Sequence, residues 1–212
     1  LNVHTAVAGS GRTDRGTHAS GQVASVKLPA DLDTARLQQQ LNERLNPHIH
    51  IANIAPVPDH FHARESATGK RYGYRIWNHP DMPVEQKGKV WYVPGALNVE
   101  AMQAVLPYFV GKQDFSSFAK VPNYNRASAI REVRAFTLTP NAHELYFAIE
   151  ADGFLYRMVR NIIRAVVKVG EGVYTPERIE QIIAAKTRQA APGTAPASGL
   201  YLEQVFYEEK TV

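Results

Sequence analysis

Two adjacent stretches constrain the fold of this chain more than any others. Leu145, Phe147, Ile149 and Ala151 alternate with Tyr146, Ala148 and Glu150, the period-two pattern of a strand with one buried face. Residues 154–169 then switch to helical spacing. Leu155, Met158, Val159, Ile162, Ile163, Val166 and Val167 form a wide apolar stripe. Each element must bury one side against something else, which commits the chain to a layered structure of sheet and helix.

The rest of the sequence repeats this theme. Strands are expected at residues 3–8, at 22–28 (Ala24, Val26 and Leu28 on one face) and at 48–54. Between the last two, Asp33 caps a helix carrying Leu37, Leu41 and Leu45, which stops before Pro47. Tyr72, Tyr74 and Ile76 alternate with Arg71, Gly73 and Arg75 in a strand over 70–77. Residues 80–95 are rich in Pro, Gly and charge, and divide the chain into expected halves 1–95 and 96–212. In the second half, Asn98 caps a helix with Met102, Val105, Leu106 and Phe109 on one face, ending at Gly111. A strand over 130–138 turns at Asn141-Ala142 into the one described above. A short helix after Pro176, a small-residue loop over 190–198 and a strand over 199–207 complete the chain. Strands alternating with helices over hairpin-length links predict an α+β fold with a mainly antiparallel sheet.

Composition sets the outer bounds. The 212 residues suffice for one large domain or two of about 100 residues. With 44% hydrophobic and 21% charged residues the chain is globular in character. No cysteine is present, which excludes disulfides, thiolate metal sites and cysteine nucleophiles. No apolar run approaches the ~20 residues of a membrane span, so a soluble, cytoplasmic protein without a membrane partner is expected. The net charge of +4 suits a polyanion but does not identify one. Leu1 leads directly into a strand-like segment, as if an N-terminal piece preceded it.

Chemistry concentrates in a few places. In the loop Gly9-Ser-Gly-Arg-Thr-Asp-Arg-Gly-Thr-His18, three glycines permit tight backbone geometry. Asp14 lies between Arg12 and Arg15, whose positive charges favour a carboxylate that can act as nucleophile or general base. A salt-bridged surface turn is the alternative. The glycine spacing matches neither a dinucleotide fingerprint nor a P-loop. On helix 154–169, Arg157, Arg164 and Lys168 lie opposite the apolar stripe, positioned for phosphates or simply for solvent. Arg160 falls at the stripe's edge, where a half-buried guanidinium can reach a carboxylate. Strand 70–77 mixes Arg71 and Arg75 with Tyr72, which can stack on an unpaired base or serve as core. The pairs His48/His50 and His60/His62 lack a further ligand at a familiar spacing, so no metal is expected.

Five motifs then fall in one order across nearly the whole chain. Gly11-Arg-Thr-Asp-Arg-Gly-Thr-His-Ala19 resembles the GRTDxGVHA signature of the tRNA pseudouridine synthase A family, with Thr17 in place of valine. Residues 61–72 resemble its F-x-A-R-x-S-A-x-x-K-x-Y segment, and residues 109–118 its F-x-G-x-H-D-F-x-x-F motif, with Gln113 where histidine is common. Residues 153–161 and 195–200 resemble its helix start and its late A-P-x-x-G-L loop. The family's first strand, with a G-W-x-x-Q element, and the helix after it have no counterpart here. The resemblance implies two ferredoxin-like halves joined through a central, mainly antiparallel sheet. It also implies a homodimer that turns uridines 38 to 40 of the tRNA anticodon stem-loop into pseudouridine without a cofactor. Carried over by motif, Asp14 is the essential aspartate, Tyr72 the tyrosine packing on the target base, and Arg160 the arginine paired with Asp14. The target nucleotide must leave its stack to reach a loop carboxylate. Arg12, Arg15, Arg71, Arg75, Arg157, Arg164 and Lys168 are then the expected RNA contacts.

Overall fold

The computed structural model describes residues 5–29, 31–119 and 128–208, so the first two residues of the expected strand over 3–8 lie outside the described residues. The chain divides into two compact units, one of residues 1–10 and 23–66, the other of residues 11–22 and 67–212.

In the smaller unit, β1 (Val7–Gly9) pairs antiparallel with β3 (Ala24–Val26). Helix α1 (Thr34–Arg44) starts where expected, with the Asp33 carboxylate accepting from the Arg36 N–H at 3.0 Å. The expected strand over 48–54 does not form. Its backbone is held by side chains of α1 instead: Asn42 bonds both the N–H and the carbonyl of Ile51, and Gln38 donates to the carbonyls of Ile51 and Ala52. Backbone groups satisfied this way have no need of a neighbouring strand.

The larger unit is built on a seven-stranded sheet in the order β2-β9-β4-β8-β7-β6, with β5 also pairing β4. These strands are β2 (His18–Ala19), β4 (Ala67–Trp77), β5 (Trp91–Tyr92), β6 (Gly111–Asp114), β7 (Ile130–Asn141), β8 (Glu144–Ala151) and β9 (Leu200–Tyr207). The pairings β2–β9 and β4–β5 are parallel and the others antiparallel. The predicted α+β fold with a mainly antiparallel sheet is therefore what forms. Strand β7 loses its alternation at Arg134, where a bulge shifts the register and the guanidinium donates to the Thr68 carbonyl at 2.7 Å. This places Val133, Phe136 and Leu138 on one buried face despite their uneven spacing.

That face packs with α2 (Val99–Val105), α3 (Met158–Gly170) and α4 (Pro176–Ala185) in one core. Asn98 caps α2 through its side chain, and residues 106–109 continue as a 3-10 turn at Pro107. Helix α3 begins later than its periodicity predicts. Leu155 is buried but not helical, and Arg157, just before the helix, has left-handed backbone angles of φ 62° and ψ 12°. Within α3, only Arg160, Arg164 and Lys168 escape burial, one above the other at four-residue spacing. Among the described residues, no helix is long and apolar enough to cross a membrane.

Candidate active site

Asp14 is presented by a loop that the sheet edge fixes. The Thr17 N–H donates to the Asp14 carbonyl at 3.0 Å, closing a turn whose third residue, Gly16, has φ 83°. A turn with positive φ at that position favours glycine. The next residues form β2, in register with Tyr201 and Leu202 of β9. The N–H groups of Ser20 and Gly21 both donate to the Leu202 carbonyl, at 3.0 and 3.1 Å. A Cβ on Gly21 would lie 1.9 Å from the Glu203 carbonyl oxygen, so a side chain there would displace the loop. The His18 ring stacks on Tyr201 at 4.6 Å, and its Nε2 lies 2.9 Å from the Gly88 carbonyl.

Arg160 meets this loop from α3. Its Nη1 donates to Asp14 Oδ2 in a short ion pair, the two side chains being 12% and 19% exposed. Nε of the same guanidinium donates to the Ala195 carbonyl at 2.7 Å, and the Ala195 N–H donates back to the Arg160 carbonyl at 3.2 Å. Residues 195–199 are held in turn by the Tyr74 hydroxyl, which donates to the Pro196 carbonyl at 2.7 Å, and by Ser198 Oγ, which donates to the Val90 carbonyl. Gly199 lies so close beneath that a Cβ would stand 2.7 Å from the Tyr74 ring. Beside Arg160, the fully buried Asn161 donates to the Phe118 carbonyl at 2.6 Å and accepts from Thr194 at 2.7 Å. A guanidinium anchored at two edges has little freedom left, so its charge is fixed in place before any substrate arrives.

Arg157 supplies a second cation. Its Nε stands 3.5 Å from the same Asp14 Oδ2, and its guanidinium lies over the Tyr156 ring at 5.1 Å. Both arginines thus approach one carboxylate oxygen, and Oδ1 has no hydrogen-bond partner among the described residues. Tyr72 faces the same region, edge-on to Phe154 at 5.1 Å. Burial, and secondarily the negative charge of Asp14, push its hydroxyl pKa up to about 12, so it is a neutral donor at physiological pH.

The other expected contacts are distributed differently. Arg12 and Arg15 are exposed; the cations that meet Asp14 come from α3 and the residue before it, not from its chain neighbours. Arg71 and Arg75 lie on the sheet face opposite Tyr72, paired with Glu150 at 3.0 Å and Glu144 at 2.6 Å. Arg164 lies over the Trp91 ring at 5.2 Å and shares Glu171 with Lys168. His62 accepts from the N–H groups of Arg64 and Glu65, a local turn role. Among the described residues, no three His, Asp or Glu side chains gather as metal ligands. Three supporting residues were read only as members of a strand or of family motifs, with no part assigned at the site: Tyr74, Asn161 and Ala195. Asn161 carried a further signal, as a polar residue inside an apolar stripe.

Comparison with known proteins identifies the family. A family profile described as tRNA pseudouridine synthase matches residues 105–208. The chain is 38% identical to tRNA pseudouridine synthase A of Methylacidiphilum infernorum over 95% of its own length and 79% of the relative's. It is 39% identical to the protein of that name from Cereibacter sphaeroides, over 96% and 81% of the two lengths. It is 36% identical to tRNA pseudouridine synthase A 2 of Clostridium perfringens, over 95% and 82%. The likeness spans both units and includes the Asp14 loop, the strand of Tyr72 and the helix of Arg160, and this chain belongs to the tRNA pseudouridine synthase A family.

Proposed function

We propose that this chain converts uridine to pseudouridine at positions 38 to 40 of the tRNA anticodon stem-loop, with Asp14 as the catalytic carboxylate. The reaction breaks the bond from the ribose C1′ to N1 of uracil, turns the base, and joins C1′ to C5. The proton lost from C5 is balanced by one gained at N1, so no cofactor is needed. One observation carries the reading: both arginines approach Asp14 at Oδ2, which leaves Oδ1 without a hydrogen-bond partner among the described residues, while Tyr72 lies near enough to feel the charge of Asp14.

Each group has a distinct part. Arg160 orients the carboxylate and supplies fixed positive charge where charge develops. Tyr72 packs on the extruded base and remains protonated at physiological pH. Arg12 and Arg15 flank Asp14, exposed for phosphate contact, and Arg164 and Lys168 extend the basic row from Arg160. Arg71 and Arg75 contribute on the other sheet face only by exchanging their carboxylate partners for phosphates. The resemblance that points to the anticodon arm also implies a homodimer, which a monomer by sedimentation at working concentration would rule out; a cytoplasmic location is the reading that goes with a tRNA substrate.

The test of the site is pseudouridine mapping on an unmodified tRNA transcript, by base-specific chemical adduct and primer extension. Product confined to positions 38 to 40 is expected. Product elsewhere in the tRNA would overturn the anticodon assignment.

A further inference from the structure

Arg157 combines three features that no part assigned so far explains. It holds left-handed backbone angles, at φ 62°, a conformation that costs an L-residue more than glycine. Its Nε is buried without a hydrogen bond. Its guanidinium nevertheless points at Asp14 Oδ2, 3.5 Å away, on an oxygen already bonded to Arg160. A structural role favours none of this. Glycine would take the backbone angles at lower cost, and Arg160 alone already pairs with the carboxylate.

Turning about the Cβ–Cγ bond swings both oxygens of a carboxylate together, and a single donor on one oxygen limits that swing without abolishing it. A second cation at the same oxygen narrows the swing further and so restricts where Oδ1 points. We propose that Arg157 is a positioning residue of the isomerisation, held in a strained backbone so that its charge sets the plane of the Asp14 carboxylate. This rests on Asp14 being the catalytic group. It assigns to Arg157 an action through Asp14 and not through RNA phosphates.

Three variants separate strain from charge. Arg157→Gly removes the guanidinium and relieves the backbone, Arg157→Ala removes the guanidinium alone, and Arg157→Lys keeps the charge. The glycine variant is expected to melt about 2–4 °C above the alanine variant, the reverse of their order at an ordinary helix position. Both should lose about ten- to a hundredfold in single-turnover rate at saturating tRNA, with lysine recovering part of the loss. Binding of tRNA should stay within about threefold and keep its salt dependence, since no phosphate contact is removed. Alanine as stable as glycine would refute the strain. A glycine variant at wild-type rate, or one with normal rate but weakened, less salt-dependent binding, would refute the positioning role. An Asp14→Ala control keeps the two claims apart. If it makes no product while Arg157→Gly is fully active, only the inference about Arg157 falls; if it does make product, the assignment of Asp14 falls as well.

Discussion

The Tyr74 hydroxyl is a sensitive point in the support of the site, and its removal has a pH signature. Tyr74 is fully buried, and Tyr74→Phe deletes the hydrogen bond to the Pro196 carbonyl, next to the residue that grips Arg160. The ring is kept, so no large cavity opens. The loss is one hydrogen bond plus a carbonyl left short of a partner, about 1–2 kcal/mol at neutral pH, or roughly 2–8 °C in Tm for a chain of this size. Burial raises the Tyr74 pKa far above its ordinary 10.0, against the lowering effect of Arg160 and Arg164. The folded protein therefore keeps the proton where the unfolded chain releases it. Stability from this group is complete below pH 10 and declines above it. At pH 11 the unfolded state gains about 1.4 kcal/mol from ionising this one tyrosine, and the variant lacks that penalty. Urea denaturation at pH 8 and pH 11 should show the deficit of Tyr74→Phe shrinking by about that amount and nearly vanishing. A deficit unchanged between the two pH values would mean that the hydroxyl ionises normally in the folded state. The packing of loop 195–199 against β4 would then be wrong.

Two further substitutions test the site more locally. Arg160→Leu leaves the Ala195 carbonyl unpaired and Asp14 with Arg157 alone, so it should cost about 2–4 kcal/mol of stability in urea melts. It should also reduce turnover more than tRNA affinity; the opposite ranking would make Arg160 a phosphate contact. Tyr72→Phe should fold normally, bind tRNA and turn over about tenfold more slowly in single-turnover assays, whereas a wild-type rate would leave its hydroxyl with no part beyond packing.

Much of this was legible because burial writes itself into spacing. The alternation of Tyr72, Tyr74 and Ile76, and of Leu145 to Ala151, found β4 and β8, and the stripe on α3 found the helix that covers them. Spacing failed where side chains did the work of backbone. Residues 48–54 have a strand's composition, but Asn42 and Gln38 already take the hydrogen bonds of Ile51 and of the Ala52 carbonyl. It failed again at Arg157, where a left-handed residue delays the start of α3 and turns a side chain expected in the outward row toward Asp14. The charges around Asp14 show the same limit. Arg12 and Arg15 are its neighbours in sequence, yet the guanidinium that bonds it lies 146 residues away. Only the family motifs joined those two residues in advance, since no local pattern encodes a contact across that distance.

The central claim is that the Asp14 carboxylate performs the chemistry, and Asp14→Asn tests it most directly because it keeps the side-chain shape and removes the charge. Single-turnover pseudouridine formation on a tRNA transcript should be measured together with tRNA binding. No detectable product is expected, with affinity within several-fold of wild type, since phosphate contacts supply most of the binding. Product formed at a rate near wild type would contradict it.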